Sequence, residues 1–574
     1  VRLLLQLSGG AAASAVTFEL NQQPVTVDDG GITLLDALRE ELGVRSVKDG
    51  CSPQGQCGCC TVWVDGMARV ACVTPLRRVA GRQVTTVEGF PTDLRDRWVE
   101  AFVGTGASQC GFCTPGILLR LAALDHGPRP ATRQAVESAL LAHLCRCTGW
   151  QSIVEAACLA LGLDEAPPSP APSAGPTGRD PLLSSWRAQV EGPMYQSSGP
   201  DVVLGGGGFA DDTAPAGALV QLGQGAAAPA RSVREARTSS GKVQGRNSTV
   251  PLTHPVPPPP GDWSLTLQTT WVEPAYVEPD ASWCRPGAPP ASPLANGGAF
   301  GGKRYSPLPA RAREQANAAG VPVRMLWSRE DVVRYGPKRP PIALGLRPDG
   351  SGALRIGRSP GSADLSGLVD RVRAVAPSVE IEVVDIAGPP VGPDLRAAVW
   401  AEVLAALAVY PNGAAEAPGP ARADITSPGG GRAVVALDPD GATVSVEVWA
   451  GELLCPVTLR SYAIGAVHQA LGLVWSEGIA VDADGAPLDL TIRSFGIISA
   501  RDMPGVDVTL HADDRWPVNG SDAVFAATLA AAWIAEGLPA QWPTRRRGPR
   551  TGPGSVHAPT STPHTPEPNQ EEHP

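Results

Sequence analysis

The chain has 574 residues, 43% hydrophobic and 18% charged, the composition of several folded domains and not of a disordered or coiled-coil protein. A formal net charge of -10 argues against nucleic acid as the main partner, because phosphate binding needs a basic face. No apolar run approaches the roughly 18–20 residues of a membrane helix. The opening VRLLLQLSGGAAASA reads as a frayed terminus and not as a secretion signal, so a cytoplasmic location is expected.

In chain order, VTFELNQQPVTVD (16–28) alternates as strand, turn, strand. Thr33 caps a helix with Leu34, Leu35, Leu38 and Leu42 at helical spacing, and Gly43 ends it. Val62 and Val64 alternate into an Asp65-Gly66 turn that returns through Val70, completing a small α+β sheet domain over 1–90. Residues 91–163 read as helical, with starts at Thr114-Pro115, at Thr132 and, in capping-box form, at Thr148. A Pro/Ser-rich linker is expected over 164–184. Two α+β subdomains are expected at 185–345 and 346–542, the second with a helix from about Ser461, and a disordered tail at 543–574. LGGGGFADD (204–212) resembles a dinucleotide loop after a short strand, but Thr213-Ala214-Pro215 cannot open the helix such a loop needs, so it is read as a turn. Asp438-x-Asp440-Gly441 fails the calcium-loop spacing and is read as a hairpin.

Ten of the twelve cysteines precede residue 160. Thiols this crowded in a large chain point to metal and not to a disulfide scaffold. Cys51-x5-Cys57-x2-Cys60-x11-Cys72 approaches the plant-type ferredoxin spacing, in which a tight loop supplies three thiolates and a strand the fourth. Cys59 is surplus in this register. Cys110-x2-Cys113-x31-Cys145-x1-Cys147 forms a second set next to expected helix starts, where negative charge is favoured. A four-thiolate zinc site also uses paired cysteines, but neither spacing suits it. Cys158, Cys284 and Cys455 read as core thiols.

LLDALREELGV, GCSPQGQCGCCTVWVDG, QCGFCTPG and CRCTGW resemble the two-cluster [2Fe–2S] domain pair of the xanthine dehydrogenase/aldehyde oxidase (molybdenum hydroxylase) family over residues 16–162. The resemblance implies a β-grasp ferredoxin-like domain, a four-helix-type [2Fe–2S] domain and α+β molybdopterin-binding subdomains. It also implies two [2Fe–2S] clusters, with Cys51, Cys57, Cys60 and Cys72 on the first and Cys110, Cys113, Cys145 and Cys147 on the second. The second cluster would lie nearer the molybdenum cofactor and the first nearer a flavin. Gln109 and the Cys147 backbone would touch the pterin. The fifth residue between Cys51 and Cys57 departs from the family's usual four. It would bulge the loop or let Cys59 compete as a ligand.

Residues 185–542 resemble a shortened molybdopterin-binding region of the same family. ANGGAFGGK (295–303) matches its Gly-rich loop, which places Phe300 and Gly301 beside the molybdenum, and Gln469 and Gly472 match its glutamine-glycine turn on the pterin. VPVRMLWSREDVVRYGPKRPP and VEPAYVEPDAS fit as well. Family chemistry needs a glutamate base after a Gly-x-Gly motif. Here PVNGSDAVFAA (517–527) puts Ala523 at that position and Asp522 beside it, so Asp522 is the candidate base. Arg304 stands where several relatives carry a substrate-contacting glutamate. Two readings follow. One is an oxidoreductase subunit that passes electrons from a small-molecule substrate at a molybdopterin site, through two clusters, to a separate FAD-binding subunit in an oligomer. The other is an electron-transfer or scaffold protein whose C-terminal half no longer turns over.

Overall fold

In the computed structural model, residues 15–127, 130–163, 180–192, 194–225, 228–240, 250–293, 298–410 and 421–545 are described. The expected frayed terminus (as far as residue 14) and most of the expected linker and tail lie outside them.

Strands β1 (Ala15–Leu20), β2 (Gln23–Asp28), β3 (Thr61–Val64), β4 (Met67–Val70) and β5 (Gln83–Thr85) form one sheet in the order β2-β1-β5-β3-β4. The β3–β4 turn has positive φ at both Asp65 and Gly66, the backbone a two-residue hairpin demands. Thr33 caps the expected helix through the Asp36 backbone N–H, and the Asp36 carboxylate reaches back to the Thr33 N–H. Four helices follow, Thr92–Thr105, Thr114–Ala122, Arg133–Leu140 and Gln151–Ala160. The capping box expected at Thr148 is not made. Trp150 occupies the N-cap position, and the Thr148 hydroxyl lies 3.3 Å from Cys145 Sγ instead.

The remaining strands are β6 (Leu219–Leu222), β7 (Leu265–Thr269), β8 (Ala281–Cys284), β9 (Val323–Leu326), β10 (Ile342–Leu346), β11 (Gly352–Arg358), β12 (Val379–Asp385), β13 (Arg422–Thr426), β14 (Arg432–Leu437), β15 (Thr443–Trp449), β16 (Gly505–His511) and β17 (Gln541–Trp542). They form three sheets, β6-β9-β8, β12-β11-β10-β7-β17 and β13-β14-β15-β16. The fold is α+β and multidomain, as expected. Three expected boundaries shift. The division at 345 falls inside β10, because the Asp349-Gly350 turn joins β10 and β11 as a hairpin and β17 returns to pair with β7. The linker ends at Asp180, whose side chain caps the helix Pro181–Glu191. The tail begins later, since Thr544 N–H and Arg545 N–H donate to the carbonyls of Val474 and Trp475. The DVV segment before LGGGGFADD is a helical turn (Pro200–Val203) and not a strand.

Two buried helices organise the C-terminal half. Pro456–Trp475 is buried on every side from Ser461 to Trp475, as a helix apolar all round must be. Ser521–Ala535 packs between it and the β13–β14 hairpin. Among the described residues, no helix is long and apolar enough to cross a membrane.

Candidate active site

The two cysteine sets converge as the spacings predict. All twelve cysteines are free and buried. Cys51 lies within hydrogen-bonding reach of Cys57 and Cys72, and Cys72 within reach of Cys60. The Cys57 and Cys72 thiols hold Cys51 well below the usual thiol range. The N–H groups of Gln54 and Gln56 also aim at Cys51 Sγ, at 3.1 and 3.5 Å. Such bonds favour thiolate and raise the potential of an anionic cluster. In the second set, Cys147 Sγ is 3.8 Å from Cys110 Sγ, and Cys113 lies beside Cys145. In each set the thiols form one continuous chain, Cys57–Cys51–Cys72–Cys60 and Cys113–Cys145–Cys147–Cys110, which gathers the four thiolates that a two-iron cluster takes. Among the described residues, no group of three or more His, Cys, Asp or Glu side chains is arranged round a single ion. Two gathered sets of four thiolates fit two [2Fe–2S] clusters.

The extra residue in the first loop is absorbed without breaking this set. Ser52 and Gly55 take positive φ. The Gln54 amide donates to Glu330 and to the Leu490 carbonyl, both at 3.0 Å, and Arg493 Nε donates to the Gln56 carbonyl at 2.9 Å. The loop is thus anchored on the C-terminal half. Cys59 is fully buried, with its Sγ 3.8 Å from the Cys57 carbonyl, and burial pushes its thiol up.

The two loops touch. Leu144, the neighbour of Cys145 in the second set, donates its N–H to the Cys57 carbonyl of the first at 3.0 Å. Gly116, in the helix that follows Cys113, packs so closely that a β-carbon there would stand 2.9 Å from the Cys59 carbonyl.

Beyond the second set lie two clefts. The first is lined by Gln109, Ser108, Gln196, Ser461 and Tyr462, and the second by Arg146, Phe300, Arg339, Arg396, Gln469 and Glu477. The second encloses about 410 Å3 including its open mouth. Seven residues, about two helical turns, separate Tyr462 from Gln469, so the single helix Pro456–Trp475 serves both clefts. The Gln109 amide donates to the Cys147 carbonyl (3.1 Å) and to Ser461 Oγ (3.0 Å). The same carbonyl abuts Gly465, where a β-carbon would overlap it. Gln469 and Gly472 form no turn, since both lie inside the helix. Gln469 donates to the Arg146 carbonyl at 2.9 Å, and bare Gly472 admits the Glu477 carboxylate, which pairs with Arg146 (2.6 Å).

The sequence-level assignments Phe300, Gln469 and Asp522 meet at a residue not singled out among them. The Arg396 guanidinium lies 3.8 Å from the Phe300 ring centroid and donates to Gln469 Oε1 (3.3 Å), Ser521 Oγ (2.8 Å) and Asp522 Oδ1 (3.2 Å). Asp522 is 27% exposed. Burial pushes its carboxyl up, and Arg396 pulls it back down. Gly301 packs against the Asp394 carbonyl. Arg304 turns to the surface and pairs with Asp394 at 3.2 Å. Arg339 pairs with Glu402 (2.6 Å) on the far wall. The available signal for Arg396 and Glu402 was two charges in the apolar run LRAAVWAEVLAAL, because charges buried there must find partners. Ala275, Phe300, Ala397 and Val399 all take positive φ around this cleft, a concentration of backbone strain typical of functional sites.

Family models for a 2Fe-2S iron-sulfur cluster binding domain and a [2Fe-2S] binding domain match residues 18–77 and 86–158. The chain is 39% identical over 144 residues to the xanthine dehydrogenase iron-sulfur-binding subunit of Escherichia coli O157:H7, covering 25% of this chain and 86% of that protein. It is 39% identical over 142 residues to the nicotine 6-hydroxylase small subunit of Paenarthrobacter nicotinovorans, again covering 25% and 86%. Against the aldehyde oxidoreductase of Megalodesulfovibrio gigas it is 42% identical over 133 residues, covering 22% of this chain but only 14% of that one. A solved aldehyde oxidoreductase from Desulfovibrio gigas superposes with a TM-score of 0.63 at 14% identity, over 91% of this chain and 97% of the other, so the fold extends through the C-terminal half. With both cluster-binding domains matched and most of two small relatives covered, the chain belongs to the xanthine dehydrogenase/aldehyde oxidase (molybdenum hydroxylase) family of oxidoreductases.

Proposed function

We propose that this chain oxidises a small molecule at a molybdopterin held in the paired clefts and passes the electrons through two [2Fe–2S] clusters to a separate flavin-bearing subunit in the cytoplasm. The observation that carries this reading is an unbroken line of contacts. Arg146 lines the second cleft and sits between Cys145 and Cys147. Leu144, next to Cys145, bonds to Cys57 of the first set. Gln109, Cys147, Phe300, Gly301, Gln469 and Gly472 are the residues assigned to the cofactor. The cleft walls suit a polar heterocycle, with three amides, several hydroxyls and buried guanidinium groups. When bound, the cofactor supplies a two-electron acceptor for the substrate carbon. Asp522, beside Arg396 of the cleft wall, is the proton acceptor; burial raises its carboxyl, and Arg396 orients it and lowers it in part. The burial of both cysteine sets excludes water from the electron path.

The test is metal content per chain, on protein purified anaerobically from a host that makes molybdopterin. About four irons and an equivalent of molybdenum are expected. The same iron without molybdenum would overturn the hydroxylase reading and leave an electron carrier.

A further inference from the structure

The first cleft is lined by a glutamine, Gln196, that matches no motif in the sequence. Its place is set by the two helices around it. The helix Pro181–Glu191 packs on the helix Pro456–Trp475, and Ser184 Oγ lies 2.8 Å from Thr458 Oγ1 and 2.7 Å from Ser198 Oγ. The segment Tyr195–Ser198 is thereby folded back over the cleft. Its side chains alternate as in any extended segment, with Tyr195 exposed and Gln196 only 7% exposed. Gln196 Nε2 donates to the Gln109 carbonyl at 2.5 Å. Turning the amide over would set oxygen against oxygen, so this bond fixes its orientation.

The other end of that amide is unmet. Among the described residues, Gln196 Oε1 is buried without a hydrogen-bond partner, and no other polar side-chain atom of this cleft's lining is in that state. Its neighbours are committed. Ser108 pairs with Thr114 (3.1 Å), Ser461 donates to the Gly106 carbonyl (2.7 Å), and the Gln109 amide is taken by Cys147 and Ser461. Glu273, in the second cleft, has a counter-ion in Lys338 at 2.8 Å. A buried amide oxygen without a donor is costly, and a ligand that brings one removes the cost. No Lys, Arg or His lines the first cleft, so an anion gains little there, whereas an N–H group meets an acceptor already fixed in place.

We infer that Gln196 Oε1 accepts a hydrogen bond from an N–H group of the molybdopterin, so that Gln196 holds the cofactor together with Gln109. The pterin ring system carries an amino group and ring N–H groups, the donors this oxygen lacks. One amide then serves two ends. Its N–H braces the Gln109 carbonyl, next to Cys110 of the second cluster set, and its oxygen meets the edge of the cofactor.

The inference rests on the molybdopterin reading, and the experiment separates the two. The whole chain is purified anaerobically from a host that makes molybdopterin. Pterin is then released, oxidised to its fluorescent form and counted per chain beside iron. A wild type without pterin would overturn the reading and the inference together. With pterin in the wild type, Gln196→Leu keeps the bulk and removes the acceptor. It should hold about tenfold less pterin, the cost of one lost buried hydrogen bond, with iron and both electron-spin resonance signals unchanged. Gln196→Glu should retain the wild-type content, because a buried carboxyl stays protonated and so keeps both a donor and an acceptor. Undiminished pterin in Gln196→Leu would leave Gln196 holding water alone and overturn the inference. Equal depletion in both variants would overturn it as well, assigning the loss to the brace on Gln109. Should a variant lose iron, a crystal structure of the loaded wild type decides. A pterin nitrogen within about 3.2 Å of Gln196 Oε1 supports the bond, and a water molecule in its place refutes it.

Discussion

Arg396 illustrates what one side chain can organise. Its guanidinium faces an aromatic ring and donates to an amide, a hydroxyl and a carboxylate, so its charge is compensated and its plane fixed. Removing it leaves Asp522 partly buried without its cation. Burial already raises that carboxyl and Arg396 lowers it, so Arg396→Gln should raise it further. A base must be ionised, so the alkaline-rising limb of the kcat/KM profile is expected to move to higher pH in the variant. A limb that stays in place would remove Asp522 from the role of base. The cysteines were legible in sequence because ligand spacing is local. The role of Arg396 was not, because its four partners come from positions 300, 469, 521 and 522, and no local pattern joins them.

At the level of elements, the helix Pro456–Trp475 does the most. Its first half seals the cleft beside Gln109, its middle bears on Cys147, and its second half carries Gln469 and Leu473 to the other cleft. Gly465 makes this possible, since the Cys147 carbonyl takes the place of its missing side chain. Gly465→Ala should therefore push the helix off the second cluster loop. The expected cost is about 2–3 kcal/mol of overpacking, seen as a lower melting temperature, with selective broadening or loss of one of the two spin resonance signals. An unchanged pair of signals would show that the helix does not support the cluster. The helix itself was foreseeable from its apolar spacing, though its start lies at Pro456 and not near Ser461. The turn expected at Gln469 and Gly472 was not realised. Burial on every side favours continuous helix, and Gly472 serves instead to admit Glu477.

Across the whole molecule, the ferredoxin-like domain is held to the rest by charge as well as by apolar contact. Arg39 reaches Asp211 (2.7 Å) and Asp212 (2.9 Å), Lys48 pairs with Asp212, and Arg324 joins Glu40 (2.7 Å). The turn that imitates a dinucleotide loop is thus an anchoring clasp, a distinction that needs tertiary contacts to draw. Burial alone would raise Asp211, but Arg324 and Arg39 hold it down to about 2. A carboxylate whose folded-state pKa is depressed stabilises the fold above its unfolded value near 4 and loses that contribution as pH falls toward 2. Asp211→Asn should cost about 2 kcal/mol at neutral pH, between an exposed and a fully buried pair. The difference from wild type should narrow from about pH 4 and close only below about pH 2 in acid melting curves. A difference that persists there would assign the effect to packing.

The first cluster loop is gripped at Gln54 and Gln56 by Leu490 and Arg493 of the C-terminal half, more than 430 positions away along the chain. This has a consequence for biogenesis. Once those contacts form, a delivery protein has no open side from which to hand over iron and sulfide, so maturation must run in sequence, with clusters first and closure afterwards. Chains synthesised under iron starvation would then close around empty thiols and resist later reconstitution, whereas chains lacking the C-terminal half would accept clusters at any time.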